Sequence, residues 1–129
     1  MGCCRFILLC LFLMASVEAP AGEVIANDSV TLTADEIRDV FLGEKRWAGN
    51  IRLVPVDNTA VQTEFLSKVL QTDRQKYYAR WTRKSFREGL IAPAVKGSDS
   101  EVIAFVKATR GAIGYVRQPV AGFKVLQSF

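Results

Sequence analysis

Leu32-Thr-Ala-Asp-Glu-Ile-Arg-Asp-Val-Phe-Leu-Gly43, followed after a polar loop by Ile51-Arg-Leu-Val-Pro-Val56, is the stretch that decides the fold. Thr33-x-x-Glu36 is a capping box, in which the two side chains satisfy exposed backbone N–H groups at a helix start. Leu32 and Ile37 flank it as a hydrophobic staple. Ile37, Val40 and Phe41 recur at i, i+3, i+4 on one helix face, and Gly43 ends the helix. Ile51 to Val56 is mostly apolar, which marks a strand covered on both faces. A doubly covered strand preceded by an amphipathic helix calls for helices packed on a sheet.

The same grammar extends outward. Glu23-Val-Ile-Ala26 is a short strand closed by the turn Asn27-Asp28-Ser29. Glu44 to Asn50 is a polar loop carrying Trp47 and Gly49. Asp57-Asn58-Thr59 is a second strand-to-helix junction, and Thr59-x-x-Gln62 offers another capping box. Val61, Phe65 and Val69, widened by Leu66 and Leu70, give the next helix its apolar face. Asp73 starts a further helix running to about Phe86, with Tyr77, Tyr78 and Trp81 on one side. Ile91 to Val95, which contains Pro93, is a loop or a short edge strand. Ser98-x-x-Glu101 caps a helix with Val102, Ile103 and Val106 turned inward. Gly111 to Val116 is a tight turn into a strand. Pro119 to Gly122 turns the chain into a last strand, Phe123 to Leu126. Strands separated by helices predict an α/β fold, a mostly parallel sheet flanked by helices, in one domain over residues 22–129.

Residues 1–21 read as a secretory signal peptide. Arg5 is the basic start, Phe6 to Met14 the apolar segment and Ala19-Pro20-Ala21 the cleavage pattern. The apolar run is shorter than the roughly 20 residues a membrane-spanning helix needs. Cys3, Cys4 and Cys10 all lie within this segment. The mature domain therefore has no disulfide and depends on burial alone. Export without a disulfide framework points to the bacterial periplasm.

Of 129 residues, half are apolar and 23% are charged, an ordinary globular composition. There is no histidine, and the mature chain has no thiol. Imidazole acid–base catalysis, histidine-ligated metals and cysteine nucleophiles are thus excluded. Ser85 next to Lys84 is no catalytic pair, because adjacent helical residues point to different sides. Asp35, Glu36, Asp39, Asp99 and Glu101 fall at helix starts, where they complement the helix dipole. No acidic spacing fits a calcium or magnesium cage. The sequence reads as a binding protein, not an enzyme, with no cofactor and no metal.

Net charge is +4, from 17 Lys and Arg against 13 Asp and Glu, a modest pull toward an anionic partner. Arg74, Lys76, Arg80, Arg83, Lys84 and Arg87 crowd the helix that carries Tyr77, Tyr78 and Trp81. Basic residues interleaved with aromatics can track phosphates and stack bases. The spacing of these aromatics, however, is that of a buried stripe with a basic, solvated back, and nucleic acid is not the expected partner. A more informative pattern lies at the junctions. A polar turn between a strand and a helix aims free N–H groups at one spot, and ligands of open parallel sheets sit beyond the strand carboxyl ends. Asn27-Asp28-Ser29 and Asp57-Asn58-Thr59 have this form; Gly111-Ala112 is a third turn, placed before its strand. Asn27, Ser29, Asp57, Asn58 and Thr59 are the candidate ligand-binding residues.

These segments, taken in order, resemble phosphate-type periplasmic solute-binding proteins. Leu32 to Gly43, then Trp47 and Gly49, then Ile51 to Asp57, is similar to the start of that family's second lobe. Trp81 to Phe86 matches its Trp-then-Phe helix. Ser98 to Val106 followed by Thr109-Arg-Gly-Ala-Ile-Gly-Tyr-Val116 matches its closing Pro-Gly-Ala-Ile-Gly-Tyr segment. The resemblance implies the type 2 periplasmic-binding-protein fold, as a small single-lobe member, and a link to phosphate uptake through an ABC transporter. Where the family has an Arg and a Ser-Gly-Thr run, this chain has Asp57-Asn58-Thr59-Ala60.

Three functional expectations follow. The first is an exported solute-binding-like domain holding a small oxyanion, phosphate included, or a polar solute. The second is a periplasmic accessory domain that has lost its ligand and contacts a protein through Tyr77, Trp81 or Trp47. The third is a basic domain that binds anionic surfaces through Arg80, Arg83 and Arg87. Oligomeric state is left open by the sequence.

Overall fold

A computed structural model of the chain describes residues 19–129; most of the expected signal peptide lies outside them. The described chain runs β1 (Glu23–Ala26), α1 (Ala34–Phe41), β2 (Trp47–Ala48), β3 (Ile51–Arg52), β4 (Val54–Asn58), α2 (Gln62–Lys68), α3 (Arg74–Glu88), β5 (Ala94–Lys96), α4 (Asp99–Ala108), β6 (Ala112–Val116) and β7 (Lys124–Ser128). Five strands form one sheet in the order β5-β4-β6-β1-β7, and β2 and β3 make a separate hairpin. β4 pairs parallel with β5 and β6, whereas β1 pairs antiparallel with β6 and β7. Four strands therefore point one way and β1 alone is reversed. This is the mostly parallel, helix-flanked α/β sheet that the sequence predicts.

The sheet is covered on both faces. Val24, Ala26, Ile113 and Tyr115 join the cores of α1, α2 and α3 on one side, through Ile37, Phe41, Phe65, Leu66, Tyr77 and Trp81. Ile25, Val56, Ala112 and Val116 meet Val102 and Val106 of α4 on the other. Gly114 lets α4 approach: a Cβ there would come within 2.7 Å of Val56 and 2.8 Å of Val102. On the larger face Phe65 stacks on Tyr115, ring centroids 3.8 Å apart, while Phe41 meets Phe65 edge-on at 4.8 Å.

Local signals explain most helix starts. The Thr33–Glu36 capping box forms in both directions, Asp73 caps α3 and Ser98 caps α4. Two expectations are corrected. Thr59 does not cap a helix: the Asn58 side chain takes the Ala60 N–H first, and α2 starts at Gln62 behind Val61 without a side-chain cap. The strand foreseen over Ile51 to Val56 is split. Leu53 N–H turns aside to the Arg46 carbonyl, leaving β3 to the hairpin and β4 to the sheet. Pro55 is tolerated inside β4 because its β5 partner strand begins only opposite Val56.

Candidate functional site

The reversal of β1 decides which candidate residues can meet. Asn27 N–H bonds the Ala112 carbonyl, at the start of β6. Asn58 lies at the other end of that strand, where its amide donates to the Tyr115 carbonyl at 3.1 Å. Three residue steps along β6 separate the two carbonyls, about 10 Å at the usual strand rise. The expected pocket joining Asn27 and Ser29 to Asp57, Asn58 and Thr59 therefore does not form. The connection from β1 to β4 starts and ends on the same rim, so the strands run opposed and their carboxyl ends face apart. A helical connection implies parallel strands only when they belong to one crossover unit; here β6 stands between them.

At the first rim, Asn27 works as a turn residue. Its amide nitrogen donates to the Val106 carbonyl at 3.0 Å, and its carbonyl oxygen accepts from the Ser29 backbone and hydroxyl. The Ser29 oxygen in turn accepts from Gly111 N–H. Asn27 also lines a cleft of about 260 Å³ with Asp28, Val106, Lys107, Ala121, Gly122 and Phe123.

The carboxyl rim of β4, β5 and β6 is where the fold collects its ligand-capable groups, and here too the candidates divide. Asp57 points inward and is 1% exposed. Its two oxygens accept hydrogen bonds from the Tyr77 and Tyr115 hydroxyls, each at 2.8 Å. Burial pushes its carboxyl up to about 6, against the lowering effect of the two phenols and Gln62. Burial first, and then the Asp57 charge, hold both tyrosines far above the ordinary phenol range. Gln62 stands close enough to influence the carboxyl, yet its amide nitrogen completes no hydrogen bond. Asp57 is therefore a core group that cannot touch a solute at the rim, because alternation along β4 sends its side chain into the sheet's larger core.

Asn58 is also buried, and its amide is spent within the protein: nitrogen to Asp99 at 2.8 Å and to Tyr115, oxygen from Ala60 at 3.0 Å. Asp99, at the start of α4, further accepts from Arg117 and Gln118 N–H at 3.0–3.1 Å. Thr59 keeps its side chain exposed while its N–H ties β4 to the Lys96 carbonyl. Arg117, which sequence reasoning missed, follows β6 directly. Its exposed guanidinium reaches across to donate to the Ala60 carbonyl at 2.6 Å. A cation thus lies over the β4–α2 turn beside Thr59. The available signal was a basic residue ending the apolar run Ala112 to Val116. Against it stand Asp99 and Glu101 at the α4 start, where Glu101 already occupies Gly97 N–H at 2.7 Å. Of the five candidates, Thr59 alone presents a free side-chain surface at the carboxyl rim.

No protein-family model matches the chain, and no curated protein matches it by sequence. Among solved structures the chain is similar to an ABC-type phosphate transport receptor from Vibrio cholerae, with a TM-score of 0.52 and 15% identity. The match covers 84% of this chain and 46% of the receptor chain. At that identity the likeness establishes the fold. The described chain corresponds to less than half of the receptor.

Proposed function

We propose that this chain is an exported, non-catalytic substrate-binding-like protein that holds a small oxyanion weakly at the carboxyl rim of its sheet. Arg117 supplies the charge and the Thr59 hydroxyl a neutral hydrogen bond, phosphate being the first anion to consider. The observation that carries this reading is the Arg117 guanidinium over the β4–α2 turn, on a fold shared with a phosphate transport receptor. A planar guanidinium suits an oxyanion, because its N–H groups can pair with two oxygens at once. Weak binding follows from the surroundings. The rim is open, Arg117 already serves Ala60, and Asp99 and Glu101 place negative charge at the neighbouring helix start. An ABC transporter or another periplasmic protein is the proposed macromolecular partner.

Titration calorimetry of the chain from Gly22 onward, with phosphate, sulfate and acetate, tests the reading. Saturable heat with an oxyanion, lost in Arg117→Ala and weakened in Thr59→Ala, supports it. No heat with any anion removes the binding claim. The second reading, an accessory domain that has lost its ligand, is favoured by one feature: the Asn58 amide and the Asp99 carboxylate satisfy each other inside the rim. In that case the chain stays silent in calorimetry, and a partner is sought at Trp47, which is 54% exposed, while Tyr77 and Trp81 are buried.

A further inference from the structure

The end of α3 carries a feature that neither the fold nor the rim uses. Phe86 is 93% exposed and Ile91, just beyond the helix, is 87% exposed. Burying a side chain of this size is worth about 1.5–3 kcal/mol, so two such groups held in water mark a surface with another occupant. Phe86 borders an open, largely apolar cleft of about 530 Å³ with Tyr78, Trp81, Thr82, Ser85 and Ala92. Ala92 also lines a second cleft that contains Ile91, Pro93 and Arg52. The apolar groups are therefore neighbours across the α3–β5 loop.

The charges around them are sorted. Arg80 pairs with Glu44 at 2.6 Å, and Lys84 bridges Glu44 and Glu88 at 3.1 and 3.4 Å. Arg83 and Arg87 form no ion pair among the described residues, and both are exposed. They bracket Phe86 in sequence, at i−3 and i+1, and share an open basic hollow with Arg80, Lys84 and Glu88. Protruding apolar tips beside unpaired guanidinium groups match a lipid surface. Phe86 and Ile91 stand almost wholly out of the open clefts they border, and a fluid interface adapts to such projections. Unpaired arginines complement lipid phosphates. Among the described residues no helix is long and apolar enough to cross a membrane, so contact at this face is peripheral.

We propose that the carboxyl end of α3 and the loop after it dock on an anionic bilayer, with Phe86 and Ile91 entering the headgroup boundary and Arg83 and Arg87 meeting lipid phosphates. This goes beyond the rim site and is independent of it. Co-sedimentation with phosphatidylcholine vesicles, with and without phosphatidylglycerol, is the test. The chain is expected to bind only the anionic vesicles and to release as salt rises. Arg83→Ala with Arg87→Ala should weaken binding about thirtyfold, from about 1 kcal/mol per arginine. Phe86→Ala with Ile91→Ser should weaken it comparably. All four positions are exposed, so the variants should keep the far-UV spectrum of the parent. Binding that ignores lipid charge, or no vesicle binding at all, overturns the proposal. So does an arginine-dependent association that the Phe86 and Ile91 changes leave intact, since that is counterion adsorption without insertion.

Discussion

Asp57 shows how a single side chain changes meaning when its neighbours are known. In the sequence it sits in a polar turn; in the fold it is sealed between two phenols. Its carboxyl is raised from 3.8 to about 6, so the folded state holds the proton more tightly than the unfolded chain. Its contribution is therefore favourable at low pH and is lost as pH rises from about 4 to about 6, by up to about 3 kcal/mol. The stability of the parent relative to Asp57→Asn, read from urea unfolding, should fall by up to about 3 kcal/mol as pH rises across that window. A parent–variant difference that does not change with pH contradicts the account. Tyr77→Phe removes one of the two donors from a buried carboxylate and should cost about 1–3 kcal/mol. The loss should be larger at pH 7.5 than at pH 5, because the ionised carboxylate needs the donor more.

Secondary-structure elements were legible wherever a cap and an apolar stripe agreed. α1, α3 and α4 start at Thr33, Asp73 and Ser98, as their side chains dictate. The failure at Thr59 is informative: two polar residues competed for one turn, and buried Asn58, fixed by Asp99 and Tyr115, took the N–H. Thr33→Ala should thus cost about 1 kcal/mol, while Thr59→Ala should stay within about 0.5 kcal/mol of the parent, both read from thermal or urea unfolding. The break between β3 and β4 was illegible, because it depends on a distant loop. Gly111, at φ +80, passes so close that a Cβ would overlap the Arg52 carbonyl. Gly111→Ala should destabilise the fold by about 3 kcal/mol or more, from left-handed backbone strain together with that clash. The first hairpin strand, Trp47–Ala48, which pairs with Ile51–Arg52, was hidden in a stretch that reads as a polar loop.

The sheet's class could be read from the alternation of strands and helices, but the direction of β1 could not. Periodicity reports which faces are buried, and β1 would bury the same residues in either direction. That one reversal separates Asn27 and Ser29 from Asn58 and Thr59, and it moves the candidate anion site to the rim where Thr59 and Arg117 lie. The likeness to a phosphate transport receptor extends over 84% of this chain but 46% of the other, so a clamp of two lobes is not available from the described residues alone. One rim with one arginine fits weak, fast-exchanging binding. The direct test is a phosphate titration followed by backbone amide chemical shifts of the isotopically labelled chain. Shifts that saturate and cluster at Thr59, Ala60, Arg117 and Gln118, and vanish in Arg117→Ala, are the predicted result. Shifts confined to the Asn27–Ser29 end, or none at millimolar phosphate, contradict the account.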